Sequence, residues 1–375
     1  MVIALQDERL LEVLGLMERR RLLPREGWDL CRTMAMSFRP TARLTITDSN
    51  ILAARNAYAH KNITEVMLRD CLDHPLGFLE GARLTKLVIA EHPFRNLKRI
   101  GFALGTIHVR DLAFIDSIPD IAAGEFRAAQ VHTMIVDGCW AELQLPATVK
   151  HLRVAQCEFS GTSHLSEGWQ TLQSIILRDT TIDLMADFSK CKVLRSLKLI
   201  DVSVPHNDAI LWPDSLEFLE IGYTINEHVV DLYFPPLPDG LQTLHLHSLL
   251  RWPFGHLPQG LKQVTIASAD CQITSDVLPE GLHTLTLKDT AGYKVYDANP
   301  FVAYPAGLKV LRFECENFPY SIGALPPGLE ELVLPAEYVQ EIGVLPSSLK
   351  SVKMPMSYRF PIRTSGPIVI YTHND

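Results

Sequence analysis

The chain has 375 residues, of which 47% are hydrophobic and 21% charged, with a net charge of −8. That balance supports a packed core and speaks against wholesale disorder. It also speaks against a general nucleic-acid binder, because neutralising phosphates needs a basic surplus.

Seven cysteines stand at 31, 71, 139, 157, 191, 271 and 315. The odd count, with no C-x-x-C and no zinc-ligand spacing, points to a reducing compartment and away from a disulfide framework. At the start of the chain, MVIALQDERLLEVLGLMERRR, Asp7 and Glu8 interrupt the apolar stretch too early for a signal peptide. No run approaches the roughly 18 apolar residues of a membrane helix. The expectation is a cytoplasmic chain that meets no membrane.

Residues 5–20 carry Leu10, Leu11, Val13, Leu14, Leu16 and Met17 at helical spacing, and 25–37 can form a second helix with Trp28, Leu30, Cys31 and Met34 on one face. One reading of residues 1–40 is a helical N-terminal cap. In the other, LLEVLGLM followed by CRTM resembles an F-box, although Leu5-Gln6-Asp7 stands where that family has Leu-Pro. The F-box resemblance implies a substrate receptor of a ubiquitin ligase.

From residue 172 onward one phrase recurs. It reads LQSIIL (172–177), LRSLKL (194–199), LEFLEI (216–221), LQTLHL (241–246), LKQVTI (261–266), LHTLTL (282–287), LKVLRF (308–313), LEELVL (329–334) and LKSVKM (349–354). Fainter copies are ITEVML (63–68), LTKLVI (84–89), LKRIGF (97–102), VHTMIV (131–136) and VKHLRV (149–154). TARLTIT at 41–47 holds a first strand, and 103–130 hides one degenerate unit around Ile107 to Leu112. The last two apolar positions, two apart, are strand alternation towards one face. Each unit buries its apolar edge only when another stacks on it.

The period of 20–26 residues and the L-x-x-L-x-L phrase resemble the leucine-rich repeats. That family continues with x-x-N/C; here Cys71, Cys139, Cys157, Thr180, Thr224 and Thr290 fill the slot. Late units open on Pro-x-x-Leu, as in LPDGL at 237, LPQGL at 257, LPEGL at 278, YPAGL at 304 and LPPGL at 325. In this they are similar to the short proline-type repeats of bacterial effectors and to FNIP repeats. Pro fixes φ at the turn entry and the Gly after it relaxes the chain. The fold class implied is an α/β repeat. It is a right-handed solenoid of about 14–15 units over 41–375, with a parallel β-ladder on its concave face, a helical N-terminal cap and PIVIYTH (367–373) as a C-terminal capping strand.

The sequence contains no G-x-G-x-x-G, P-loop, H-E-x-x-H or G-x-S-x-G, so neither a cofactor nor a catalytic residue is expected. Cys71-Leu72-Asp73 superficially matches the Cys-x-Asp of bacterial ligase effectors, but Cys71 is already explained as the turn cysteine of its unit. His245 and His247 flank Leu246 and share the outward face, as a metal pair does; solvated strand histidines are the simpler account. The outward positions give a mixed face with a mild basic surplus. The residues expected to bind a partner are Arg153, Arg178, Lys198, Glu220, His245, His247, Arg312 and Lys353. The function expected is protein binding or scaffolding inside a larger complex, with a bias towards an acidic partner surface.

Overall fold

The computed structural model describes residues 42–47, 63–69, 79, 81–90, 108–116, 130–138, 145–159, 167–182, 187–203, 211–222, 236–247, 257–267, 277–288, 303–316, 318–364, 366 and 368–372. The helices expected in 1–40, with their cap or F-box reading, lie outside these residues, as do Cys71, Cys139, Thr224 and Thr290. The chain divides into two compact units, residues 1–172 and 173–375.

The first unit contains β1 (Ala42–Ile46), β2 (Ile63–Arg69), β3 (Arg83–Ala90), β4 (His108–Ile115), β5 (Gln130–Asp137), β6 (His151–Ala155) and the two-residue β7 (Glu158–Phe159). Strands β1 to β6 each pair in parallel with the next along the chain. The second unit contains β8 (Ser174–Ile182), β9 (Ser196–Ser203), β10 (Phe218–Gly222), β11 (Thr243–His247), β12 (Gln263–Ala267), β13 (Thr284–Lys288), β14 (Val310–Glu314), β15 (Glu331–Val333), β16 (Ser351–Met354) and β17 (Val369–Thr372). These too pair only in parallel, in sequence order. Among the described residues there is no α-helix, and no helix long and apolar enough to cross a membrane.

The register sets equivalent positions of the phrase side by side. Leu197, Leu219, Leu244, Val264, Leu285, Leu311, Leu332 and Val352 are successive Cα partners, and all eight are 0% exposed. The phrase's first and last apolar residues are buried beside them, as at Leu194 and Leu199 or Leu282 and Leu287. Burying one such side chain contributes about 1.5–3 kcal/mol. An isolated coil has no second layer against which to collect it.

The degenerate unit expected within 103–130 is β4, with Val109, Leu112 and Phe114 turned inward. β3 is hydrogen-bonded directly to β4, so 84–89 and 109–114 are neighbouring rungs; the copy expected at 97–102 lies outside the described residues.

The Pro-x-x-Leu openings are tight turns in which the Leu N–H donates to the Pro carbonyl. Examples are Leu241 to Pro238 at 3.0 Å, Leu261 to Pro258 at 3.1 Å and Leu329 to Pro326 at 3.1 Å. Proline therefore stands first in the turn. The residue just before Leu is read differently in the structure than in the sequence. Gly240, Gly260, Gly281, Gly307 and Gly328 do not have left-handed φ; the left-handed glycines among the described residues are Gly81 and Gly138. At three of the five, the requirement is closeness. A Cβ on Gly240, Gly260 or Gly307 would lie 3.1, 2.9 or 2.5 Å from a backbone carbonyl of the preceding coil. Where the slot holds a hydroxyl, the hydroxyl bonds that neighbour: Ser215 Oγ donates to Leu194 O (2.8 Å) and Thr171 Oγ1 to Val149 O (3.0 Å).

At the other end of the strand the turn is left-handed. Asp116, Gly138, Gln156, Asp179 and Asp201 each stand two residues after the last inward side chain, with φ between 46° and 64°. Asp and Gly tolerate this region best. The next residue folds back over the turn: Thr180 Oγ1 donates to Arg178 O (2.7 Å), and the Cys157 thiol to Ala155 O (2.9 Å). Cys and Thr thus do the work that the repeat pattern usually gives to Asn.

Near the C-terminus the connecting arcs also stack. The Tyr338 hydroxyl accepts from the Ile322 N–H at 2.9 Å, and Tyr358 repeats this with Ile342 at 3.0 Å. Their rings lie nearly parallel, with centroids 6.3 Å apart. Burial pushes the Tyr338 phenol up to about 12.

Candidate functional site

Side chains opposite the spine form in-register rows on the outward face of the second unit. The central row runs Ile176, Lys198, Glu220, His245, Thr265, Thr286, Arg312, Val333 and Lys353. A second row places Arg178, Ile200, Gly222 and His247 side by side, and a third contains Phe218 and Thr243.

The rows converge on Glu220, whose side chain is only 12% exposed. Lys198 Nζ lies 2.6 Å from Glu220 Oε2, and His247 Nε2 lies 3.0 Å from Oε1. Lys198 also sits 5.1 Å from the centre of the Phe218 ring, which packs edge-on against His245 at 5.1 Å. Gly222 is the close approach that admits His247, since a Cβ there would meet the His247 Cβ at 3.2 Å.

His245 Nε2 is buried and has no hydrogen-bond partner among the described residues. Burial holds the His245 pKa below the usual imidazole value, against the opposing pull of Glu220. Burial disfavours the Glu220 carboxylate, but the hydrogen bond and charge of Lys198, with both histidines, outweigh it and hold its pKa below the ordinary carboxylate value. The arrangement is a fixed anion between a lysine and two half-buried imidazoles, one of them with a buried Nε2 that has no partner among the described residues. One ligand atom from each of Glu220, His245 and His247 lies within 4.8 Å of the others.

The architecture has solved counterparts. It matches CroV588, described as a novel circular LRR protein, with a TM-score of 0.56 and 16% identity over 83% of this chain. The fold is the leucine-rich-repeat fold. This chain spans 50% of the length of CroV588. YopM from Yersinia enterocolitica also aligns over 83% of this chain at 16% identity, but with a TM-score of 0.25. No family model and no curated protein matches the sequence.

Of the leucine-rich-repeat positions expected to meet a partner, the structure brings together Lys198, Glu220, His245 and His247. Arg312 lies further along the same row and donates from Nε to Glu331 Oε1 at 2.8 Å, beside a Lys288–Glu314 pair at 3.5 Å. Arg178 and Lys353 are exposed on the same ladder. Arg153 is exposed on β6, in the first unit. Much of the basic surplus is thus matched internally.

The sequence reading missed two features. Glu220 is the third group at the histidine pair. It arrives from the adjacent strand, and superposing LEFLEI on LQTLHL places it opposite His245. In the first unit the central outward row is apolar: Met67, Val88, Ala113 and Ile135 are register partners of one another and then of Arg153. Ala90 and Ile115 pack with them, and Val88, Ala90 and Ala113 are buried. The fifth residues of ITEVML, LTKLVI and VHTMIV carry that signal.

Proposed function

We propose that the chain is a non-catalytic protein-binding or scaffold module of a cytoplasmic complex. It docks its partner on the outward face of the second unit, the face that leucine-rich-repeat solenoids line with strands. The observation that carries this is the register-locked row from Lys198 to Lys353, in which Lys198, Glu220, His245, Arg312 and Lys353 stand on strands that each pair with a neighbour on both sides. Such a surface needs no ordering when a partner arrives, which lowers the cost of association.

The non-catalytic reading is supported by Cys191, whose thiol is pushed up to about 11 by burial and by the Asp187 charge, and so stays protonated and inert. A partner with acidic groups meets exposed Arg178 and Lys353 and competes with Glu331 for Arg312. That makes association faster at low salt.

The test is quantitative affinity capture with three baits: the unaltered chain, an Arg178→Ala/Lys198→Ala/Arg312→Ala/Lys353→Ala variant, and an arc variant, Lys192→Ala/Glu337→Ala. A protein held by the first and third and lost from the second is the expected result. Equal recovery on all three contradicts face-directed binding.

A further inference from the structure

We infer that Glu220, His245 and His247 form a binding site for a divalent transition-metal ion of the zinc type, with one coordination position left open. The two histidines are two residues apart on β11, so both rings stand on the outward face. Glu220 is the register partner of His245 on β10. A His–His–carboxylate set suits zinc, a borderline cation that takes imidazole nitrogen and carboxylate oxygen at about 2.0–2.2 Å.

Tetrahedral bonds of that length place neighbouring ligand atoms about 3.4 Å apart. His247 Nε2 and Glu220 Oε1 are already 3.0 Å apart, and all three ligand atoms lie within 4.8 Å of one another. The buried Nε2 of His245 has no hydrogen-bond partner among the described residues; in the tautomer protonated at Nδ1 it carries an uncompensated lone pair that a bound cation would satisfy.

Lys198 binds Oε2 and leaves Oε1 for the ion. Its charge also opposes the cation. A purely structural Lys198–Glu220–His247 pairing predicts no response to metal. A metal site predicts that removing the lysine's charge tightens binding. Three protein ligands leave a fourth position for water or for a donor from a docked molecule. The inference stands apart from partner binding, because a metal titration needs no partner.

The experiment uses the full chain, stripped with a chelator and titrated with zinc chloride by calorimetry at about pH 7.5, and with cobalt(II) followed by visible absorption. The expected result is one equivalent bound, and visible cobalt bands without the near-ultraviolet charge transfer of a thiolate. His245→Ala and His247→Ala abolish the event, and Glu220→Gln weakens it more than about tenfold. Lys198→Met tightens it. The inference is overturned if the unaltered chain binds no equivalent of zinc. It is equally overturned by unchanged affinity in both histidine variants, by a thiolate band, or by weaker binding in Lys198→Met.

Discussion

Two glycines in equivalent turns should respond oppositely to the same substitution. Gly307 and Gly328 each precede the leading leucine of a unit, in YPAGL and LPPGL, and neither has a left-handed φ. A Cβ on Gly307 would lie 2.5 Å from the Glu280 carbonyl oxygen and 3.4 Å from that of Leu282. The Gly307 N–H donates to that same Glu280 oxygen at 3.2 Å, and the Ala306 N–H to the Glu280 carboxylate at 3.2 Å. Alanine at 307 must push two coils apart and strain both bonds. Overpacking of this kind costs about 1–3 kcal/mol. At Gly328 the nearest atom is the Ala306 oxygen at 3.7 Å, an ordinary contact. There Gly→Ala should be neutral or stabilising by up to about 1 kcal/mol, through the lower entropy of the unfolded chain. Urea unfolding followed by circular dichroism should show a lower midpoint for Gly307→Ala, and for Gly328→Ala one no lower than that of the unaltered chain. Equal destabilisation by both would refute close approach as the reason for glycine.

Tyr338→Phe should destabilise by about 1–3 kcal/mol in the same assay, since it orphans the buried Ile322 N–H; Tyr358→Phe, at a more exposed site, should cost less. Acid stability should carry the signature of Glu220. Its folded pKa is depressed, so its contribution is complete above the unfolded value of about 4.3 and is lost as pH falls through the lower folded value. Chemical denaturation at a series of pH values should therefore show a shallower loss in that window for Glu220→Gln than for the unaltered chain, with Lys198, His245 and His247 still in place. Leu285→Ala, between Val264 and Leu311 in the spine, should cost about 2–5 kcal/mol, while Thr284→Ala on the outward side of the same strand should stay within about 0.5 kcal/mol in parallel melts.

The spine was legible because its signal repeats. Apolar residues at the first, fourth and sixth positions of each phrase, mostly Leu, Ile or Val, meet only other apolar residues along the ladder, so periodicity alone assigns their side. Even VRDLAF, with Arg110 and Asp111 inside the phrase, keeps that pattern at Val109, Leu112 and Phe114. The neighbour of each rung is less legible: β3 takes β4, and a six-residue phrase does not contain the pairing that selects a rung. The glycines of the Pro turns misled for a related reason. Their role is set by the carbonyl of the preceding coil, and φ preference within the turn says nothing about it. The candidate site shows the same divide. His245 and His247 are adjacent in sequence and visible as a pair, whereas Glu220 joins them through the register of β10 on β11.

The account rests on stacked parallel rungs, and engineered cross-links test that arrangement directly. Thr243 and Gln263 are register partners on β11 and β12, both on the outward face, while Ala267 lies four residues further along β12. That displacement is about 13 Å along the strand, beyond the reach of a disulfide. Oxidation of Thr243→Cys/Gln263→Cys should give a 243–263 bond in mapped peptides, and Thr243→Cys/Ala267→Cys should give none between 243 and 267. The reverse pattern would mean antiparallel strands, and the stacked coils, their outward rows and the site built on them would fall together.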